Sequence, residues 1–409
     1  MKLLTSFLLA ALLIVQAPQA QASPVEDELR LQLLAIAEYL QHNLGVYTPL
    51  TADEMRQIIL DGATWTVAAQ EKTGHFGYEY APFAGEYLEG EGMVRQAGTL
   101  FMLSEVYKYQ QEKDPAIAKA IEQAIEYFES ISAERESDEG VFWCIKNQEQ
   151  SSTCELGSAS LALIGALNYV ATEPAKKSSY EEAIERYVTY LLAAKFSDRG
   201  FSGRYHLQRG FSENESPFYN GEAMLALVRY YQYAPDDQLK ELLQELFAHL
   251  SGQEYESPLY LWIMAALKDM QRLWPDETYV AYAADFTQER LDSAARRHHT
   301  THNYCAPLEG LVSAYSILEG NSTLPELMRL SDEIDFWLRK SNWLQLDAAS
   351  PYRVVWQDGQ LQLLWQVEPT IAHGGFLTDE GVLTQRIDFT QHCVSAYLQK
   401  LVDVDREEL

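Results

Sequence analysis

Basic residues are scarce in this 409-residue chain, with 31 Lys+Arg against 60 Asp+Glu and a formal net charge of -29. A polyanion would be repelled and no basic cluster concentrates one, so a nucleic-acid partner is excluded. Gly-rich phosphate loops, nucleophile elbows and dinucleotide fingerprints are missing, which removes the commonest nucleotide and acyl-transfer chemistries. Beyond the first twenty residues no apolar run reaches membrane-spanning length. Cysteine is limited to four residues, without Cys-x-x-Cys or His-Glu-x-x-His spacing, and neither a cofactor nor a metal is expected. What is present is 47% hydrophobic residues, too many for a disordered acidic chain and enough for a large core. The 25 Tyr and 8 Trp offer apolar bodies with polar tips, suited to packing or to a wet, sugar-like ligand.

Met1-Lys2, the apolar run Leu3 to Val15 and Ala20-Gln21-Ala22 have the basic start, short apolar segment and small-x-small ending of a secretory signal. Cleavage after Ala22 is expected, leaving residues 23–409 as one domain without a membrane span, exported to the periplasm or secreted. An oxidising destination favours disulfides. Cys144 and Cys154 flank a polar loop, and joining them leaves Cys305 and Cys393 to pair if their helices are neighbours. The competing arrangement is a zinc site built from Cys144, Cys305 and the His392-Cys393 dipeptide.

Six segments share polar or glycine- or proline-containing entrances followed by alanine-rich, apolar residues at helical spacing: Gly98–Tyr107, Gly157–Tyr169, Gly221–Tyr230, Pro258–Leu267, Pro307–Tyr315 and Gln391–Tyr397. Helices of this composition are surrounded by protein. Six amphipathic segments alternate with them, near 26–43, 115–135, 178–195, 236–251, 277–297 and 325–340, and another helix is expected near 52–70. Extended pieces are few, chiefly Val354–Trp356 and Leu361–Trp365. The spacing predicts an all-α, closed double ring of six inner and six outer helices.

The sixfold alternation and the recurring turns Gly74-His-Phe76, Gly140-Val-Phe142, Gly200-Phe201-Ser-Gly-Arg204 and Gly374-Gly-Phe376 resemble the (α/α)6 toroids of the six-hairpin glycosidase superfamily. The Gly200–Arg204 piece is also similar to turns in terpenoid-cyclase and prenyltransferase toroids. The first resemblance implies a carbohydrate-active protein whose inner-helix N-termini share one mouth.

Acids recur at those entrances: Glu91, Glu155, Glu222, Glu309 and Asp388. One carboxylate at a helix N-terminus is explained by capping and the helix dipole, whereas several around one mouth raise one another's pKa and can separate into an acid and a base. Glycoside hydrolysis needs such a pair. Glu309 and Asp388, on ring neighbours with polar surroundings, are the preferred catalytic residues, with Glu91 and Glu222 in reserve. Substrate contacts are expected from Tyr78, Tyr80, Trp143, Tyr205 and Tyr219 as platforms, and from Arg95, Arg204, His302, Arg386, Gln391 and His392. The arginines either orient the acids or receive an anionic sugar. In the second case a lyase or epimerase, with His392, His302 or Tyr219 as base, competes with the hydrolase. A non-catalytic toroid holding an oligosaccharide or peptide is the alternative from another class. The expected partner is an oligo- or polysaccharide, neutral or anionic, and the sequence leaves the oligomeric state open.

Overall fold

The computed structural model describes residues 48–147, 151–294, 303–320, 323–357, 360–379 and 381–409, with positions 33, 36 and 37 in helical conformation. The expected signal segment, most of 26–43, and His298, His299 and His302 lie outside the described residues.

Six helices form an inner ring: α2 (Met93–Tyr109), α4 (Leu156–Thr172), α6 (Pro217–Tyr233), α8 (Ser257–Leu273), α10 (Cys305–Leu318) and α12 (Ile387–Gln399). Each packs on the next, and α12 packs on both α10 and α2, so the ring closes. The outer helices are α1 (Ala52–Ala68), α3 (Pro115–Ile131), α5 (Lys177–Ala194), α7 (Asp237–Ser251), α9 (Glu277–Ala294) and α11 (Leu324–Asn342). Helix α1 packs on α12 and α2 and so completes six outer helices among the described residues. The helix expected near 52–70 as an addition is therefore a member of the ring.

Composition explains the layers. In α4 every residue from Leu156 to Val170 is buried, which suits its nearly unbroken small and apolar sequence. In α3, burial follows Ile117, Ala120, Ile121, Ala124, Ile125 and Phe128, one face of an amphipathic helix. Four of the outer helices carry side-chain caps. Thr51 and Glu54 form a capping box on α1, Asp114 caps α3, Asp236 caps α7, and Thr323 with Glu326 caps α11. The N-cap residues of all six inner helices make no such side-chain bond.

Three of the four glycine–phenylalanine turns are one repeated device; the fourth lies in the strand Gly140–Ile145. After an outer helix, the chain makes a bridge at Gln70–Phe76, Lys195–Phe201 or Gln345–Phe376. The phenylalanine ring is fully buried in each. Its backbone N–H donates to a polar side chain at the fourth residue of the following inner helix: Gln96 (2.9 Å), Asn220 (2.8 Å) or Thr390 (3.0 Å). Gly74 and Gly374 have φ of 92° and 90°, where a Cβ would strike backbone atoms at 2.1 and 2.2 Å, so only glycine serves there.

At one end of the ring, inner helices run into outer ones through three to five residues. At the other, long segments lead into α2, α4, α6 and α12, carrying short antiparallel strands. These are β1 (Glu79–Ala81) and β2 (Glu86–Leu88) in a sheet with β10 (Gln385–Arg386), the β3 (Ser132–Ser137) and β4 (Gly140–Ile145) hairpin, and β5 (Thr153–Glu155) with β6 (Arg204–His206) and β7 (Gly210–Phe211). A last hairpin pairs β8 (Tyr352–Gln357) with β9 (Gln360–Trp365). The segment entering α8 is short, residues 252–256. Disulfides join Cys144 to Cys154 and Cys305 to Cys393, the expected pairings. They consume the thiolates that the zinc arrangement required. Among the described residues no helix is long and apolar enough to cross a membrane.

Candidate active site

The mouth lies where the inner helices begin. On α12, Asp388 and His392 are four residues apart and therefore occupy one face, separated by one turn. The β10–β1 pairing sets Arg386 opposite Glu79, and Arg386 then grips Asp388 with Nε to Oδ1 at 2.9 Å and Nη2 to Oδ2 at 2.6 Å. From α2, Arg95 adds Nε to Oδ2 at 2.9 Å and donates through Nη1 to the Tyr78 hydroxyl at 2.6 Å. Burial raises the Asp388 pKa, but the Arg386 hydrogen bonds and the charges of Arg386 and Arg95 outweigh it, and the carboxyl sits below its ordinary value. Asp388 is therefore a fixed anion at neutral pH.

Glu309 behaves oppositely. It lies on α10 with a side chain 1% exposed, and its Oε1 is 2.9 Å from Nδ1 of His392, whose side chain is 19% exposed. Burial pushes the Glu309 carboxyl up to about 7, against the opposing pull of His392. The buried acid is thus linked to the partly exposed imidazole. With Glu309 ionised, Nδ1–H donates to it, and Nε2 is the ring nitrogen turned away from that contact. The Gln391 amide approaches the same Nδ1 at 3.3 Å, and the Trp262 ring from α8 lies 6.1 Å from the imidazole, centroid to centroid.

A second group forms between α4 and α6. Arg204 on β6 donates to Glu155 at 3.1 Å, so this N-cap carboxylate serves the arginine and not the helix terminus. Glu222 is buried, and burial with repulsion from Glu155 pushes its carboxyl well above the ordinary value. Its Oε2 has no hydrogen-bond partner and occupies space left by Gly157, where a Cβ would lie 2.1 Å away. Burial, with the charges of Glu155 and Glu222, also raises the Tyr219 phenol.

The expected site residues are thus distributed unevenly. Glu309, Asp388, Arg95, Arg386, Tyr78, Gln391 and His392 meet at α2, α10 and α12, while Glu155, Arg204, Glu222 and Tyr219 gather at α4 and α6. Glu91 is exposed just before α2. Tyr80, expected as a platform, is 1% exposed and packs on Tyr87 at 5.0 Å. Trp143 leans on Tyr187 of outer helix α5, and Tyr205 belongs to a cluster with Phe142, Tyr190 and Phe211. Sequence reasoning passed over Trp262, which sits in an apolar helix without a polar neighbour to mark it. It also missed Gln96, Asn220 and Thr390 as the anchors of the phenylalanine turns; their common place four residues into an inner helix was the available signal. Among the described residues no group of three or more His, Cys, Asp or Glu side chains is arranged to hold a metal.

No family model matches the sequence, and no curated protein matches it significantly. Solved structures do match in fold. A family 76 α-mannanase from Bacteroides thetaiotaomicron superposes with TM-score 0.58 at 10% identity, covering 86% of this chain and 96% of that one. The cellobiose 2-epimerase of Spirochaeta thermophila gives TM-score 0.57 at 13% identity, over 85% and 96% of the two chains. A D-mannose isomerase gives 0.57 at 10% identity, over 85% and 97%. These proteins are (α/α)6 toroids of the six-hairpin glycosidase superfamily, and this chain shares their fold.

Proposed function

We propose that the protein is a carbohydrate-active enzyme of the isomerase or epimerase type, in which His392 moves a proton on a sugar. Glu309 positions the imidazole, and Asp388, held as an anion by Arg386 and Arg95, accepts hydrogen bonds from sugar hydroxyls. The observation that carries this reading is the 2.9 Å contact between a buried, high-pKa carboxyl and a partly accessible imidazole. Such a dyad exchanges a proton near neutral pH, as acid–base catalysis requires.

Geometry argues against the two-carboxylate hydrolase built on Glu309 and Asp388. A glycosidase flanks the scissile bond with its two carboxyl groups. Here the exposed member of the dyad and Asp388 come from adjacent turns of one helix and approach a ligand from the same side. One face suits removal of the proton beside a carbonyl and its return to the neighbouring carbon, which is aldose–ketose isomerisation. Epimerisation would further require the planar intermediate to turn so that the same imidazole returns the proton to the opposite face of the original carbon. The fold is compatible with this chemistry, since toroids named as a cellobiose 2-epimerase and a D-mannose isomerase share it. Hydrolysis remains the second reading because of Glu222, a buried acid on α6, three positions around the ring from α12. The arginines support a neutral sugar more than an anionic one, because Arg386 and Arg95 share Asp388 and Arg204 is matched by Glu155. Export is part of the proposal and is supported by the two disulfides.

The test is incubation of the purified protein in deuterium oxide with aldoses, reducing disaccharides and an α-mannan, followed by proton NMR and reducing-end measurement. Deuterium at C2 of a reducing sugar is the expected result. New reducing ends without exchange would replace this reading with the hydrolase, and sugar binding without either signal would leave a binding toroid.

A further inference from the structure

We infer that the Cys305–Cys393 disulfide is a positioning element of the mouth, holding α10 and α12 in the register at which Glu309 meets His392. The inference rests on the reading of that dyad as the working pair. Cys305 opens α10 one turn before Glu309, and Cys393 directly follows His392, so the bond joins the two helices within a turn of the contact it holds. Both cysteines are fully buried, which shields the bond from reductants and makes it a permanent clamp.

The clamp has a force to resist. A buried carboxylate gains hydration if its surroundings open, and an acid raised to about 7 lies close to that transition. Parting α10 from α12 would admit water to Glu309 and release the imidazole. The disulfide opposes this at the mouth, while at the far end of the same seam Ser313 donates to Gln399 at 3.0 Å. Asn303 reinforces it: its Oδ1 accepts the Cys305 N–H at 3.1 Å, and its Nδ2 lies 3.3 Å from both the Leu377 carbonyl and the Cys393 sulfur. The other disulfide, Cys144–Cys154, ties β4 to β5 near α4 and touches neither member of the dyad.

The experiment follows the His392 imidazole by NMR titration in the full chain, wild type against C305A/C393A, with C144A/C154A as the comparison. Folding of each is checked by circular dichroism. The expected result is a displaced His392 titration in C305A/C393A alone, with kcat on any turned-over sugar lower by about a hundredfold, as loss of reactive alignment predicts. A His392 titration superimposable on wild type in folded C305A/C393A overturns the inference. Should that variant fail to fold, C305V/C393A restores side-chain volume without the bond and is judged by the same outcomes. E309Q separates the two levels: if it leaves the His392 titration unmoved, the dyad itself fails, whatever the disulfide does.

Discussion

The two ends of the ring both bury acids and bases, yet they use them differently. At the end where the inner helices stop, Arg229 on α6 lies 2.5 Å from Asp269 and 3.4 Å from Glu105, and Asp403 receives Lys268 at 2.6 Å and Arg272 at 2.9 Å. A π-helical turn, Lys400–Val404, carries Asp403 over these cations beside a cavity of about 320 Å³. At the mouth Asp388 is fixed in the same way, but Glu309 and Glu222 lack a permanent cation and are raised by burial. The helix dipole rationalises the difference. Carbonyl ends favour lysine and arginine, whereas amide ends tolerate acids without cationic partners. The far end therefore holds mostly ion-paired charges, although burial also raises Glu105 there, and the mouth holds carboxyls raised without a cationic partner, Glu309 to about 7.

The largest effect that would break this contrast is at the imidazole. His392→Gln should lower turnover by about a thousandfold, within the range of a general acid–base group, while leaving the urea midpoint near wild type. Retained turnover would show that the mouth's titratable dyad is as inert as the far end. Next comes Asp403→Asn, which strands buried Lys268 and should cost about 3 kcal/mol in urea unfolding without altering the pH dependence of turnover. Burial raises the Asp403 pKa, but Lys268 and Arg272 outweigh it and bring it down to about 2. The associated stability is present above the ordinary carboxylate range and is lost as pH falls through about 2.

Glu309→Gln should reduce turnover by about a hundredfold and flatten the limb of its pH profile near 7. Its linkage has the opposite sign to that of Asp403. Raised from 4.5 to about 7, Glu309 holds a proton in the native state that the unfolded chain releases, so stability declines as pH rises across that interval. Urea midpoints at pH 5 and pH 8 should differ less in the variant than in wild type. The smallest expected change is Arg204→Ala. That side chain is 59% exposed, and its loss should cost about 0.5 kcal/mol or less. A larger loss would mean that the α4–α6 group at the mouth is held as firmly as the far-end network.

Much of the architecture was legible because its causes are local. Alanine-rich apolar helices alternate with capped amphipathic ones, and positive-φ glycines mark the turns between them. The place of 52–70 was not legible: its amphipathic period marks a helix, and periodicity alone does not say that it meets α12. Tyr80 and Trp143 show the same gap at side-chain level. Their residue types suit a sugar platform, but strand register turns Tyr80 inward, and Trp143 is spent on Tyr187.

By itself the sequence determined the helical period, the capping, the cysteine pairing options and the recurrence of acids at inner-helix entrances, all of which depend on residues near one another in the chain. Only the tertiary structure decided which acids are neutralised and which are left to titrate. Asp388 receives Arg95 from a helix nearly three hundred positions earlier, and Glu309 meets His392 across 83 residues. A pKa is set by burial and by the charges that surround it, and those surroundings exist only once α12 closes the ring against α10 and α2.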